Sequence, residues 1–387
     1  MTAPPTAGFD HREFQTRTEA AQEKMEQAGL AAMLLTTDPD IRYYTGFLTR
    51  FWESPTRPWY LVIPAKGTPI AVIPSIGTHL MHQTWLTDIR TWDAPDYTDD
   101  GIGLLTRTLC EVTPRSAAIG VPDAMESHVR MPRRDLQRLE HALTPRKLVS
   151  DAQITRALRM IKSPAEQQKI RAAACIADRA FDRVSEIAAP GDALSKVFRH
   201  FQMLCLEEGA DWVAYLAGAA GQNGYADVIS PATDAPLRQG DVLMLDTGVV
   251  RDGYFCDFDR NFSIGPPNAT VTAAHHRLID ATWSAFELVR PGVRMSDLFE
   301  QMAAVTHPGT SDAVTGRLGH GLGLQLTEWP SILPVDHTPL QPGMILTLEP
   351  FVSLDDGRIM VHEENVVVQD AGAEWLSTPQ GREIRVL

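Results

Sequence analysis

Residues 237–246 read "LRQGDVLMLD", and residues 340–349 read "LQPGMILTLE". In both segments a glycine turn precedes an apolar run that stops on an acid, Asp246 in the first and Glu349 in the second. The relation extends upstream, where "PGDALSKVF" at 190–198 resembles "PGVRMSDLF" at 291–299. The offsets are 103 and 101 residues. Chance likeness of short Gly-Pro turns is the alternative, but the nearly constant offset favours a pseudo-twofold domain, and two copies are too few for a solenoid.

A weaker third pair relates "YFCDF" at 254–258 to "MVHEE" at 360–364. It sets Asp257 of one half against Glu363 or Glu364 of the other. If the two halves pack face to face, these acids converge with Asp246 and Glu349. Four carboxylates cannot share a buried site without compensating positive charge. The pattern therefore predicts about two divalent cations.

One histidine is predicted to complete the ligand set. The segment "GRLGHGLGLQLTEWPS" at 316–331 places His320 between two glycines, which allow the backbone to approach a ligand closely. Imidazole is the commonest neutral metal ligand. Four carboxylates and one nitrogen suit manganese, zinc, cobalt or iron(II). Two such ions can bridge one water and make it a nucleophile near neutral pH.

The rest of the chain predicts a mixed α/β domain over residues 1–150, followed by a second domain over 155–387. We expect a helix from Phe9 to Ala28, a strand in "LAAMLLTT", a turn at "DPD" and a hairpin in "WYLVIPAKGTPIAVIP". "AAIGVP", near residue 120, is a further strand. The second domain is expected to open with a capping box, Ser163 to Glu166, and a long helix.

Composition limits the classes of function. A chain of 387 residues with 44% hydrophobic and 22% charged residues is typical of a two-domain globular protein. The net charge of −14 argues against nucleic acid, and no apolar run is long enough to span a membrane. We expect a cytoplasmic protein without a signal peptide. The four cysteines form no CxxC pair, so neither a disulfide framework nor a thiolate zinc site is expected.

Five ordered motifs resemble those of the pita-bread metallopeptidases, family M24, which include prolidase, aminopeptidase P, methionine aminopeptidase and creatinase. They are "LMLDTG", "GYFCDFDRNF", "GHGLG", "PGMILTLEP" and "MVHEENVVV". The segment "DPDIRYYTGF" is similar to the creatinase/prolidase N-terminal domain. The resemblance implies an α/β N-terminal domain, an α+β pita-bread catalytic domain with the internal repeat, and a hydrolase related to Xaa-Pro dipeptidases and aminopeptidases.

The resemblance also implies roles for the ligands. Asp246 would hold one metal ion, Asp257 and Glu363 would bridge both ions, and His320 and Glu349 would complete the second. Glu349 would also act as general base. Glu363 is preferred over Glu364 because the corresponding acid in the family lies three residues before an apolar run. Asp259, two residues after Asp257, is expected to support the ligands from behind, paired with Arg260 or another base.

Two departures from the proline-peptidase pattern concern the substrate. A second histidine, seven residues after the first in relatives, is replaced by Thr327, which can donate a hydrogen bond but carries no charge. The stretch "DVISPAT" lacks another family histidine. Two alternatives therefore remain: a metalloenzyme for a small non-peptide such as an ectoine-type ring amide, a creatine-like compound or dimethylsulfoniopropionate, and a catalytically silent binding protein.

Further residues are candidates for substrate contact. The segment "RFWESPTRPW" at 50–59 offers Arg50 and Arg57 to a substrate carboxylate and Trp52 as an apolar wall. In dimeric relatives this region reaches the partner's active site, so a homodimer is expected. Tyr225 and Tyr254 are candidates for lining the pocket. His275 and His276 are expected on a helix surface, in a structural role.

Overall fold

The computed structural model describes residues 8–54, 57–310, 314–354 and 357–387. Contacts divide the described residues into an N-terminal unit, residues 8–159, and a C-terminal unit, residues 160–387. The N-terminal unit contains six α-helices, the last of which ends one residue beyond the unit, and six strands within its described residues. They are α1 His11–Ala28, α2 Asp38–Thr45, α3 Thr78–Met81, α4 Ile102–Val112, α5 Arg133–Leu143 and α6 Ile154–Met160, with β1 Leu30–Leu35, β2 Tyr60–Pro64, β3 Ile70–Pro74, β4 Asp88–Trp92, β5 Ala118–Val121 and β6 Lys147–Ser150.

The N-terminal unit is built on one sheet with the strand order β4-β3-β2-β1-β5-β6. The predicted first helix is confirmed: the Asp10 side chain accepts from the Arg12 N–H at its start, and Gly29 ends it at φ 69°. The predicted hairpin is confirmed by antiparallel pairing of β2 with β3. The turn predicted at "DPD" is wrong, because α2 begins there. Proline near a helix start and acids in the first turn favour a helix as much as a turn.

The C-terminal unit contains four α-helices and twelve strands within its described residues. They are α7 Pro164–Asp182, α8 Leu194–Glu207, α9 Ala269–Leu288 and α10 Met295–Thr306, with β7 Trp212–Gln222, β8 Asp241–Arg251, β9 Tyr254–Phe255, β10 Phe258–Ser263, β11 His320–Gly321, β12 Glu328–Ser331, β13 Ile345–Leu348, β14 Phe351–Ser353, β15 Ile359–Val361, β16 Glu364–Gln369, β17 Gly372–Trp375 and β18 Arg385–Val386. The predicted capping box is confirmed, since the side chains of Ser163 and Glu166 each bond the other residue's N–H at the start of α7.

The pseudo-twofold repeat is visible in matching backbone contacts. Gly191 donates to the carbonyl of Leu237 at 2.8 Å, and Gly292 donates to that of Leu340 at 2.9 Å. Each contact ties the start of a helix, α8 or α10, to the segment that enters a central strand, β8 or β13. One sheet has the order β18-β10-β8-β7 with β9 on β8, and the other has the order β12-β11-β13-β16-β17. The two halves therefore repeat the same helix and strand arrangement.

Strand register corrects the third pair of the sequence repeat. Asn261 lies opposite Met244 in the first half, and Asn365 lies opposite Thr347 in the second. Since Met244 and Thr347 are equivalent in the repeat, Asn261 is equivalent to Asn365. Asp259, not Asp257, is then the counterpart of Glu363. The predicted alignment was wrong by two residues, because a short match between acidic segments does not fix the register of a strand.

The two equivalent asparagines join the halves reciprocally. The amide of Asn261 donates to the carbonyl of Val361 at 2.6 Å. The side-chain oxygen of Asn365 accepts from the Asp257 N–H at 3.0 Å, and its amide donates to the Asp257 carbonyl. These bonds satisfy buried backbone groups where the two sheets meet. They also fix the backbone that carries Asp257 against the second half.

Helices of membrane-spanning length and hydropathy are not found in the described parts of the chain. The four cysteines are free thiols. His275 does not lie on the surface of α9 as predicted: it is fully buried and bonds the Gly381 carbonyl at 3.1 Å through Nε2. Burial lowers the pKa of His275 to about 4, so this ring packs as a neutral group.

Candidate metal centre

The first acid lies on the central strand of the first half. Asp246 belongs to β8 and is flanked by Ala217 of β7 and Asp259 of β10. The strand is buried except at Asp246 and Arg251, which are partly buried, and the Oδ1 atom of Asp246 is shielded from solvent without a hydrogen-bond partner. An unpaired buried carboxylate oxygen is costly unless a cation faces it. Its position at the inner face of the sheet therefore favours a ligand role over a structural one.

The histidine is held so that one ring nitrogen stays available. Its Nδ1 lies 2.8 Å from the Gly321 carbonyl oxygen, which can only accept, so Nδ1 carries the proton and Nε2 has a free lone pair. The His320 N–H donates to Thr347 Oγ1 at 3.1 Å. Gly319 has φ 136°, and a side chain there would overlap the Thr347 carbonyl oxygen. The glycine thus permits the close approach of β11 to β13 that positions His320.

Asp257, His320 and Glu363 form a compact group of possible ligands. Their ligand atoms all lie within 4.8 Å of one another, and all three side chains are buried. His320 Nε2 is 3.4 Å from Asp257 Oδ2 and 3.9 Å from Glu363 Oε1. The Oε1 atom of Glu363 has no hydrogen-bond partner. One cation could be coordinated by three donors from both halves of the unit.

The neighbouring Glu364 has other partners. It accepts from Arg260 Nη2 at 3.1 Å and from the Gln380 N–H at 2.8 Å, and it also accepts from the Ser377 hydroxyl. Although burial disfavours its charge, Arg260, His362 and the Ser377 hydroxyl lower the pKa of Glu364. The carboxylate is therefore ionised and fully used within the protein. This leaves Glu363 as the acid of the pair that can face a metal ion.

The carboxylates of the group repel one another. Burial, reinforced by neighbouring acids, raises the pKa of Asp246, Asp257 and Glu363 well above the usual range. Burial raises the pKa of Glu349 to about 7. Burial also lowers the pKa of His320 to about 4, so the imidazole is neutral and suited to coordination. Four acids that resist ionisation together, two of them with unpartnered oxygens, fit a site for divalent cations.

A second buried network lies behind these donors. His362 Nδ1 is 3.5 Å from Asp259 Oδ1, and His362 Nε2 is 3.3 Å from Glu364 Oε1. Burial alone would lower the pKa of His362, but the two carboxylates raise it. Asp259 faces this imidazole rather than the Arg260 guanidinium, whose contact with Asp259 is to the backbone carbonyl, at 2.6 Å. The network ties β10 to β16 next to the candidate ligands Asp257 and Glu363.

The candidate substrate residues are dispersed. Thr327 accepts from Arg317 Nη2 at 3.2 Å. The Tyr225 hydroxyl donates to Asn261 and accepts from the Val361 N–H, and the Tyr254 hydroxyl donates to Glu166 at 3.0 Å. Both tyrosines are almost fully buried, so their hydroxyls bind protein groups. His276, which was predicted to lie on a helix surface in a structural role, is partly exposed, and its Nε2 atom is 3.7 Å from Glu383 Oε1.

The three candidates of the first domain are placed within the N-terminal unit. Arg50 forms an exposed ion pair with Glu53. Arg130 donates to the carbonyls of Trp52, Ser54 and Arg57, and its guanidinium lies 5.2 Å from the Trp52 ring centroid. This arginine therefore organises the segment that carries Trp52 and Arg57.

Residues that the sequence interpretation missed lie close enough to the candidate ligands to interact with them electrostatically. The Arg317 charge opposes the burial-driven rise in the pKa of Asp257 and Glu349. Burial and the four acids together raise the pKa of Tyr215. Gly248 leaves space for neighbours, since a Cβ there would collide with Leu326 Cδ1 and approach Tyr215 Cβ to 3.1 Å. Arg317, three residues before His320, was recognisable in the sequence, but the direction of its side chain was not predictable from the sequence.

Comparisons with known proteins identify the family of the chain. Residues 168–370 match the model of metallopeptidase family M24, and residues 17–161 match the creatinase/prolidase N-terminal domain. The chain is 30% identical over 369 residues to a probable dipeptidase PepE of Mycobacterium tuberculosis, covering 94% of each chain. It is 29% identical over 223 residues to an Xaa-Pro dipeptidase of Pyrococcus furiosus, covering 57% of this chain and 64% of the relative. The crystal structure of dipeptidase PepE from Mycobacterium ulcerans aligns with a TM-score of 0.84 at 30% identity, over 98% of this chain and 99% of the other.

Proposed function

The chain belongs to metallopeptidase family M24, and from that premise we propose that it is an Xaa-Pro dipeptidase that holds two divalent ions. The observation that carries the proposal is the buried group of Asp257, His320 and Glu363, beside the unpartnered oxygen of Asp246. Its donor set of carboxylates and one imidazole suits manganese, zinc, cobalt or iron(II). Asp246, Asp257, His320, Glu349 and Glu363 are the proposed ligands.

The chemistry divides between ions and side chains. When bound, divalent cations polarise the peptide carbonyl and bring the pKa of a coordinated water towards neutrality. Glu349 accepts a proton from the attacking water as the new C–O bond forms, and it returns the proton to the nitrogen as the C–N bond breaks. Because bound cations favour its ionised form, Glu349 can accept this proton. Thr327, held by Arg317, is a hydrogen-bonding group at the edge of the same site.

The named relatives support a peptidase over the two alternatives, a non-peptide metalloenzyme and a silent binding protein. The proline preference rests on the Xaa-Pro dipeptidase among them. We include in the proposal a homodimer and a cytoplasmic location, both of which come from the sequence interpretation. Nucleic acid and membranes are not proposed partners.

A dipeptide panel tests the proposal. Purified protein supplied in turn with Mn²⁺, Zn²⁺, Co²⁺ or Fe²⁺ is assayed against Ala-Pro and Ala-Ala. We expect hydrolysis with at least one metal, and a kcat/KM for Ala-Pro roughly 10-fold or more above that for Ala-Ala, as pocket discrimination of this kind provides. Failure to cleave any dipeptide with all four metals would overturn the dipeptidase proposal. Equal kcat/KM values for the two substrates would overturn its proline preference.

A further inference from the structure

Arg317 is a cation whose hydrogen-bonding capacity is only partly used. Its side chain is half-buried, and Nη2 donates to Thr327 Oγ1 at 3.2 Å. No further acceptor within the described ranges bonds its Nε or Nη1. An arginine with one hydrogen bond to the protein has further N–H donors that can bind a planar anion, such as a carboxylate, in a bidentate manner.

The position of Arg317 connects it with the metal centre. It precedes His320 by three residues, and its partner Thr327 precedes β12, the strand that pairs with β11. Its charge acts on Asp257, Glu349 and His320, yet neither of the two carboxylates forms an ion pair with it within the described part of the chain. Once cations neutralise the acids, the guanidinium is left without a counter-charge. A partly desolvated cation of this kind is stabilised when an anion binds beside it.

The segment that carries Thr327 packs on β8 through apolar groups. Leu326, next to Thr327 in the chain, covers Gly248, and Tyr215 Cβ packs on the same side of that glycine. Gly248 follows Asp246 by two residues on β8, so this contact lies on the same face of the strand as that candidate ligand. The contact brings Thr327, the partner of Arg317, to the face of β8 that carries Asp246.

The geometry points to Arg317, oriented by Thr327, as the group that binds the free α-carboxylate of the substrate. In a dipeptide that carboxylate lies roughly 3.5 Å from the scissile carbonyl carbon, one residue along the chain. A cation beside the metal ligands would thus select substrates that end one residue after the cleaved bond. This inference rests on the proposed dipeptidase function and specifies how the site would restrict its substrates to dipeptides.

The first test compares the kcat/KM of substrates with and without a free α-carboxylate. The metal-loaded wild type and the variants Arg317→Gln and Thr327→Val are assayed with Ala-Pro and with its C-terminal amide. For the wild type we expect the kcat/KM for Ala-Pro to exceed that for the amide by roughly 10- to 100-fold, the range for a hydrogen bond to a charged group. Arg317→Gln should abolish the difference mainly through KM. Thr327→Val should reduce it, and Thr327→Ser should restore it.

A binding measurement keeps the inference testable without turnover. Calorimetry of the metal-loaded protein with free proline and with prolinamide should show binding of proline that Arg317→Gln weakens by roughly 10-fold or more. Arg382→Gln serves as the matched control, because Arg382 is an exposed partner of Asp280. Equal binding of proline and prolinamide by the wild type would overturn the inference, as would unchanged proline binding in Arg317→Gln. Neither result depends on whether the protein cleaves dipeptides, which the dipeptide panel decides separately.

Discussion

Asp257→Asn should leave a folded protein that has lost most of its metal and its peptidase activity. Asp257 is a proposed bridging ligand, and asparagine replaces its charge with a neutral amide. Its Oδ2 atom is 3.4 Å from His320 Nε2, so the substitution acts within the compact ligand group. The fold should persist, because Asn365 binds the backbone N–H and carbonyl of residue 257, not its carboxylate. Elemental analysis and turnover should show depleted metal and a loss of roughly 1,000-fold or more in kcat/KM.

Asp259→Asn is the matched comparison two residues further on. Asp259 contacts His362 at 3.5 Å and belongs to the network beneath the ligands. Losing a supporting partner of this kind costs roughly 10- to 100-fold in activity or affinity, so both metal ions should be retained. If Asp259→Asn emptied the site while Asp257→Asn left it full, the ligand assignment on β10 would be wrong. The choice of Glu363 over Glu364 would then require the same revision.

Glu349→Gln should reduce turnover strongly while changing substrate binding little. Glutamine keeps the volume and one oxygen of the side chain, and the backbone bond from residue 349 to the Leu318 carbonyl, at 3.0 Å, does not involve the carboxylate. What is lost is the proton acceptor together with the charge of a proposed metal ligand, so bound metal is measured alongside turnover. We expect kcat to fall roughly 1,000-fold, within the range for general acid–base catalysis. KM for Ala-Pro should change much less, since removal of an interaction made in the transition state lowers kcat and kcat/KM together.

Glu374→Gln controls for the chemical change itself. Glu374 forms an exposed ion pair with Arg171 at 2.8 Å, where the same substitution should leave activity within twofold, roughly the scale of surface pairs. Turnover in Glu349→Gln equal to that of this control would exclude Glu349 as the general base. Another carboxylate of the centre would then have to accept the proton.

The sequence predicted the elements whose signals are local. Asp10 and Gly29 delimit α1 because a side-chain cap and a left-handed glycine act within a few residues. Ser163 and Glu166 mark the start of α7 by the same kind of short-range chemistry. The repeat was detectable because equivalent turns before β8 and β13 require similar residues. The repeat also predicted that acids of both halves converge.

Features that depend on long-range packing were not predictable in this way. Strand register placed Asp259 opposite Asp246, which no local pattern specifies. The burial of His275 depends on the segment containing Gly381, which is 106 residues away in sequence. The direction of Arg317 depends on Thr327 across the turn between β11 and β12. Each of these is a tertiary contact between residues whose separate sequence contexts look ordinary.

The central claim is that both halves of the C-terminal unit supply ligands to a metal centre on which peptidase activity depends. Its most direct test is to remove metal with a chelator, add Mn²⁺, Zn²⁺, Co²⁺ or Fe²⁺ in measured amounts, and follow bound ions per chain together with Ala-Pro hydrolysis. We expect no hydrolysis by the metal-free protein and a return of activity that reaches its maximum at about two ions per chain. Full hydrolysis by protein shown to be metal-free would contradict the account.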